Sequence, residues 1–409
     1  MSATTVASET KKLPRMNDSI HCPNCGSKGM LIFYEAHNVP VHSVLLMPTR
    51  EEALKYPKGK IELGFCDTCG FISNTTFDAS LHEYSARYEA TQGYSSTFNK
   101  FHNALAQRLI DKYDLHGKDI IEIGCDKGDF LLMLCEMGNN RGIGVDPAFV
   151  PDRIESSAKD RVQFIADLYS EKYTYLKGDF IACKMTLEHI HPTLEFVSMV
   201  RRSIGEKMDA TIFFQIPNVT YVLRDLAFWD VYYEHCSYFS KGSLARLFRK
   251  SGFDVLDLAT EYDDQYLTIE AKPSNGVPTK FHPEENDMDS LRGLVQHFIT
   301  HYPERMKVWG DLLKRVVDGG KKAVIWGAGS KGVAFLTKLS ITPEIMPYAV
   351  DINPYKRGTF MAGTGQEIVT PDFLTSYQPD MVIAMNPIYK KEIQNELNAL
   401  GVKAELVTM

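Results

Sequence analysis

The chain holds 409 residues, 44% hydrophobic and 24% charged, which excludes a largely disordered protein and predicts two or three folding units at about 100–200 residues each. A formal charge of −7 removes the basic face of a nucleic-acid binder, and no apolar run approaches the ~18 residues of a membrane span. The polar residues 1–20 lack the apolar core of a signal peptide, so a cytoplasmic, reducing setting is expected, with the eight cysteines as thiols or metal ligands rather than disulfides.

Residues 1–18, rich in Ser, Thr and Lys, read as a disordered tail. Residues 19–80 form a small cysteine module with short strands at Met30–Tyr34 and Ile61–Phe65. From Leu81 to Tyr113 the pattern predicts helix and carries a run of tyrosines. Residues 116–270 alternate short apolar runs with amphipathic helices, the mark of a parallel sheet covered by helices. Its strands are expected at Asp119–Ile123, Arg141–Val145, Val162–Ile165, Phe180–Met185 and Thr211–Gln215. Three prolines within residues 271–288 predict a linker, and Asp289–Asp318 one or two helices, with Leu291, Leu294, Val295 and Phe298 at helical spacing. A second βαβ pattern fills residues 321–409, with strands at Ala323–Trp326, Pro347–Val350 and Met381–Ala384. The fold class is therefore α/β, divided into the cysteine module (19–80), a first α/β unit with its lead-in (81–270), linker and helices (271–320) and a second α/β unit (321–409).

The cysteine module carries Cys22-Pro23-Asn24-Cys25 and, forty residues on, Cys66-Asp67-Thr68-Cys69. Each pair aims two thiolates at one centre, and two pairs complete a tetrahedral shell for Zn²⁺. Gly26 and Gly70 follow the pairs and suit the tight turns such knuckles make. Four sulfur ligands leave no position for water, so the metal is expected to be structural, the staple that a module of ~60 residues with little core requires. A chance grouping of reducible thiols is the alternative. Cys125, Cys135, Cys183 and Cys236 stand in apolar surroundings and read as core thiols.

Glu122-Ile123-Gly124-Cys125-Asp126-Lys127-Gly128 is a strand end, a glycine turn and a helix start. Gly124 permits the turn, and Gly128 is expected to let the backbone approach a ligand. Asp146 stands twenty-two residues after Gly124, at the next strand end, where a carboxylate accepts from ribose hydroxyls. A generic α/β turn with an acidic cap is the plainer reading. These residues resemble the class I S-adenosylmethionine-dependent methyltransferases. Thr186-Leu187-Glu188-His189-Ile190 resembles the segment after the fourth strand of that class, where substrate meets methyl donor. The resemblance implies a Rossmann-like central unit holding S-adenosylmethionine through Glu122, Gly124, Gly128, Asp146, Asp167 and Glu188.

Tyr232-Tyr233-Glu234-His235-Cys236-Ser237-Tyr238-Phe239-Ser240 is dense in titratable and aromatic groups. From the residues alone, His235 can hold or release a proton near neutrality, with Glu234 to orient or charge it and Tyr232 to donate to an oxyanion. A buried histidine packed among aromatics is the competing reading. The segment resembles the Y-x-E-H-x-x-Y-F-S signature of the nucleotide-sugar C-methyltransferases, whose order of zinc module, methyl-donor domain and C-terminal Rossmann-like domain matches the chain from about residue 20. The resemblance implies that His235 removes a proton from the carbon next to a ketone, with Tyr232, Glu234 and His189 at the substrate. It also implies a nucleotide-linked sugar as partner. Family members often carry Asn where this chain has Met185. The run Tyr84, Tyr88, Tyr94 resembles the family's segment between zinc module and active site, so Tyr88 and Tyr94 are expected at the substrate; an aromatic helix stripe between domains remains open.

Gly327-Ala328-Gly329-Ser330-Lys331-Gly332 fits G-x-G-x-x-G between a strand and a helix, with Asp351 nineteen residues beyond. The helix start can hold a diphosphate, with Lys331 adding charge. Residues 330–409 accordingly offer Ser330, Lys331, Asp351, Asn386 and Tyr389 as contacts to the nucleotide of a nucleotide-sugar, the role the family resemblance implies for this domain. The expected activity is C-methylation of a nucleotide-linked 4-keto deoxysugar. Two alternatives stand beside it: methyl transfer to O, N or C of another small acceptor, and a nicotinamide-dependent oxidoreductase using residues 321–409.

Overall fold

The computed structural model describes residues 13–82, 84–153, 155–276 and 281–409. It contains three sheets. The first is antiparallel: Arg15–His21 pairs with Lys28–Pro40, that strand with Lys58–Phe65, and that with Ile72–Asn74. The tail expected over residues 1–18 is thus too long. Arg15 is drawn onto the sheet by ion pairs to Glu35 at 2.7 Å and Glu62 at 2.5 Å, and its neighbours follow it into a strand; residues 1–12 lie outside the described residues.

In the central sheet Asp119–Ile123 lies between Arg141–Val145 and Phe180–Lys184, with Val162–Ile165 and Thr211–Pro217 outside them, all parallel. Successive side chains of a strand face opposite sides. Ile120, Phe180 and Phe213 accordingly pack with Leu105, Leu109 and Leu131 of the helices Ser96–Tyr113 and Asp129–Met137. Ile121, Ile181 and Ile212 pack the other way, against Val197, Val200 and Phe248 of Thr193–Ile204 and Lys241–Lys250. An unforeseen hairpin, Phe253–Glu261 with Tyr266–Pro273, extends this sheet antiparallel to Thr211–Pro217. Its turn holds Tyr262, Asp263 and Asp264 in the left-handed region without a glycine, so the usual turn signal is missing.

The helix expected from Leu81 begins only at Ser96, where the Ser95 hydroxyl accepts from the Phe98 amide. Before it, the backbone is taken by the cysteine module: Leu46 donates to the Arg87 carbonyl, and Glu89 to that of Val44. The third sheet is all parallel, in the order Glu367–Val369, Tyr348–Val350, Ala323–Trp326, Met381–Ala384, Glu405–Thr408. Its two outer strands are not among those expected from the sequence.

Met288–Asp318 is one helix and runs through Pro303. Phe298 meets Phe33 and Tyr34 at ring distances of 6.1 and 5.8 Å, and Trp309 meets Phe335 at 5.1 Å, so this helix straps the first sheet to the third unit. The linker expected over 271–288 is strand to Pro273 and helix from Met288; residues 277–280 lie outside the described residues. No helix among the described residues is long and apolar enough to cross a membrane.

Candidate active site

The four module cysteines converge. Cys22 and Cys69 lie 3.7 Å apart between sulfurs, and Cys25 and Cys66 3.6 Å apart, too far for disulfides and close to the ~3.8 Å edge of a tetrahedron with ~2.3 Å metal–sulfur bonds. Gly26 and Gly70 have φ of +80° and +74° and donate to the carbonyls of Cys22 and Cys66, closing both knuckles. The other four cysteines are buried thiols.

At the first glycine loop, Gly124 has φ +71°, and a Cβ there would lie 2.0 Å from the Thr186 hydroxyl. Asp146 fastens the loop, its carboxylate accepting from the Asp126 amide at 2.8 Å and the Ala148 amide at 2.7 Å. Gly128 does not meet the expectation of close ligand approach. It stands off the cavity wall, and its missing side chain makes room for the Phe164 ring, stacked on Phe149. Asp167 likewise turns out to Tyr173 and Lys172, leaving Leu168 and Tyr169 on the wall.

The segment Tyr232–Ser240 is held from two sides. Asn74 donates to the Cys236 carbonyl, Cys236 donates to the Glu188 carbonyl, and Ser237–Tyr238 adds a strand to the cysteine module's sheet. His235 is buried, with the Tyr232 hydroxyl 2.9 Å from Nε2 and the His189 ring 5.0 Å away. Burial, then His189 and Lys331, hold its pKa well below the usual imidazole value, so it rests unprotonated rather than titrating near neutrality. Glu234 does not reach it. Its carboxylate faces His42 Nδ1 at 2.8 Å, the Ser43 amide at 3.0 Å and the Ser43 hydroxyl. Burial pushes its pKa up, but the hydrogen bonds from His42 and Ser43 outweigh that and leave it below the ordinary carboxylate range. Neither His42 nor Ser43 carries a sequence signal.

One cavity of about 510 Å³ joins the first loop, this segment and the second loop. Glu122, Gly124, Asp146, Glu188, His189, Tyr232 and His235 line it, as do Tyr84, Tyr88, Tyr94, Ser330, Lys331, Asp351, Asn386 and Tyr389. Glu122 Oε2, both Glu188 oxygens and His189 Nδ1 are buried in it without a hydrogen-bond partner. Burial raises Glu122 and Glu188 to about 8 and Asp126 to about 7, and lowers His189 to about 4. Lys184, the one charged residue in its apolar strand and thereby detectable in sequence, also lines the cavity. It lies 2.8 Å from His102 Nε2, and burial brings it down to about 8. Space and unpaired acidic groups fit a cationic nucleoside on the first-loop side.

The second-loop residues reach the same cavity, but all except Asp351 are engaged with earlier parts of the chain. The Ser330 hydroxyl lies 2.7 Å from that of Ser43, and Lys331 pairs with both oxygens of Asp230 at 2.5 and 2.6 Å. Asn386 exchanges two hydrogen bonds with Gln265, and the Tyr389 hydroxyl accepts from that of Tyr262 and donates to the Gln92 side-chain oxygen. Asp351 accepts from the Ala328 and Asn353 amides and from Lys356. No side chain caps the helix Ser330–Lys338, so its amide end stays open.

Residues 94–258 match the family model described as a methyltransferase domain, and residues 274–407 that described as a C-methyltransferase C-terminal domain. The C-methyltransferase NovU of Streptomyces niveus is 24% identical over 305 residues, covering 71% of this chain and 71% of NovU. Among solved structures, 1,6-didemethyltoxoflavin-N1-methyltransferase of Burkholderia thailandensis shares 15% identity at a TM-score of 0.33, over 45% of this chain and 83% of that one. Magnesium protoporphyrin IX methyltransferase of Synechocystis shares 13% at a TM-score of 0.35, over 44% and 84%. Neither structural likeness, at such scores, bears on the activity of this chain.

Proposed function

We propose that this chain, which belongs to the S-adenosylmethionine-dependent C-methyltransferases, methylates a nucleotide-linked 4-keto deoxysugar at C3, by way of an enolate that His235 forms. The observation that supports this reading is the single cavity: an acid-lined donor side, an unprotonated imidazole and an open helix start share one wall. A sugar C–H is no nucleophile until a neighbouring ketone makes it acidic. The Tyr232 hydroxyl lies 2.9 Å from His235 Nε2; in this reading it turns to the substrate's carbonyl oxygen, and the Nε2 lone pair takes the α-proton. The C–H electron pair passes to the carbonyl oxygen, where the Tyr232 hydroxyl and the partnerless His189 Nδ1 donate to the developing charge. S-adenosylmethionine, once bound, supplies an electrophilic methyl group.

Glu122, Gly124, Asp146 and Glu188 hold the donor in this reading, while Asp167 and Gly128 act only through the loop's shape. Tyr84, Tyr88 and Tyr94 wall the sugar, and the open amide end of Ser330–Lys338 takes the diphosphate. Glu234 is a positioning residue, held by His42 and Ser43, that fixes the backbone before His235. The four cysteines hold Zn²⁺ as a structural staple. Holding the nucleotide far from the reacting carbon turns binding energy into orientation.

The test is incubation with labelled methyl donor and dTDP-, UDP- and GDP-linked 4-keto deoxysugars, with the new bond located by NMR. A C–C bond at C3, lost by ~10²–10⁴-fold in His235→Ala, is expected. Wild-type protein should also exchange the α-hydrogen for deuterium without donor, and His235→Ala should not. Label on oxygen or nitrogen, or equal turnover of an acceptor lacking a nucleotide, overturns the reading.

A further inference from the structure

Glu188 is 1% exposed, and neither carboxylate oxygen has a hydrogen-bond partner. Its backbone is fixed, since its carbonyl accepts from Cys236, and its side chain faces the cavity. An isolated carboxylate in such a place is strongly disfavoured, and burial keeps the group protonated up to about pH 8. The titratable neighbours are few. His189 is on its own turn, and Cys183 and Lys184 are on the strand before it. Tyr232, His235 and Cys236 face it from the catalytic segment, Tyr84 from the lead-in and Tyr266 from the hairpin. Lys184, the one lysine among them, lies against His102 and over the Phe130 ring instead.

The place of a cation that would pair with Glu188 follows from the chemistry. The carbon that loses its proton to His235 is the carbon that receives the methyl group, so the sulfur carrying that methyl must come to rest beside His235. Glu188 Oε1 lies 4.0 Å from His235 Nε2. Two other carboxylates of the cavity have an oxygen without a hydrogen-bond partner: Glu122, in its strand on the loop side, and Asp126, in the loop itself with Lys127 Nζ 3.2 Å from that oxygen. We infer that the Glu188 carboxylate is the counter-ion of the methyl donor's sulfonium, losing its proton when the donor binds and regaining one once the sulfur is neutral.

On donor binding the Glu188 O–H bond breaks, its electron pair stays on the carboxylate, and the proton leaves to solvent. After turnover that bond re-forms with the proton His235 took from the substrate; the N–H bond breaks and its pair stays on Nε2. The inference rests on the reading above that His235 is the base and S-adenosylmethionine the donor. Its test needs no acceptor, so a wrong sugar leaves it standing.

Calorimetric titration of the full chain with S-adenosylmethionine and with S-adenosylhomocysteine, in buffers of different ionisation enthalpy, counts protons released. The two ligands differ only in the methyl group and the charge on sulfur. At pH 7 the sulfonium ligand should release about one proton more, and its affinity should rise about 20-fold more than the neutral ligand's from pH 6.5 to 8.5. Glu188→Gln should remove both differences. Equal proton release in the wild-type protein overturns the inference without any variant. So does an excess that survives Glu188→Gln but vanishes in Glu122→Gln. Competition between S-adenosylmethionine and added Zn²⁺ or Mg²⁺ at Glu188, His189 and His235, whose ligand atoms lie within 4.8 Å of one another, would make a metal the cation that pairs with Glu188 and overturn it too. Absence of any S-adenosylmethionine binding would instead sink the donor assignment itself.

Discussion

The two glycine loops end parallel strands and open helices of nine residues each, Asp129–Met137 and Ser330–Lys338, yet their surroundings are opposite. Around the first, Glu122 and Glu188 reach the cavity with oxygens unpaired. Around the second, Ser330, Lys331, Asn386 and Tyr389 are tied to Ser43, Asp230, Gln265 and Tyr262. A glycine turn between strand and helix is shared by both; unpaired buried acids are not. A site that must receive a cation keeps acids without partners, whereas a loop that must hold three units in register engages its polar side chains in doing so.

Small side chains break the comparison most sharply. In Gly124→Ala the new Cβ meets Thr186 at 2.0 Å on a backbone with φ +71°, so a loss of about 2–4 kcal/mol in denaturant unfolding is expected. Gly329 has ordinary extended dihedrals and nothing within 4 Å of a Cβ, so Gly329→Ala should stay within about 0.5 kcal/mol of the parent. Equal losses would mean that the loops are built alike.

Acidity sharpens the contrast next. Glu122, Glu188 and Asp126 have folded values of about 8, 8 and 7, above those of an unfolded chain. Their contribution to stability is therefore full below pH ~4 and is lost as pH rises from there through 7–8. The ligand-free melting temperature should drop between pH 5 and 8, and S-adenosylmethionine should restore more of it at pH 8. A melting temperature that climbs over that range would contradict the placement of these acids.

The smallest effect concerns the second loop. Lys331→Ala releases Asp230 and removes one positive charge near the open helix start. The expected result is a rise of about threefold in KM for the nucleotide-sugar, with donor affinity unchanged. A larger change in donor affinity than in KM would place Lys331 on the other side of the cavity.

Much of the site is legible in sequence because its parts are local. The cysteine knuckles, the two strand–glycine–helix turns and the Tyr232–His235 segment each lie within a few residues; the four cysteines converge, and both turns and His235 reach one cavity. Gly128 was misread because a glycine that admits a ligand and one that admits Phe164 look the same in sequence. Asp167 faces outward because Tyr173 and Lys172, on the next turn, offer it donors in water.

By itself the sequence determined the α/β class, the central run of parallel strands and the position of each motif along the chain, since strand period, turn geometry and ligand spacing are set by neighbours along the chain. Tertiary structure alone decided what each buried charge faces. Glu234 is adjacent to His235 in sequence, yet its carboxylate bonds to His42 and Ser43, more than 190 residues away. A buried carboxylate takes whichever donors the packing of separate domains brings within about 3 Å, and no local pattern encodes that meeting.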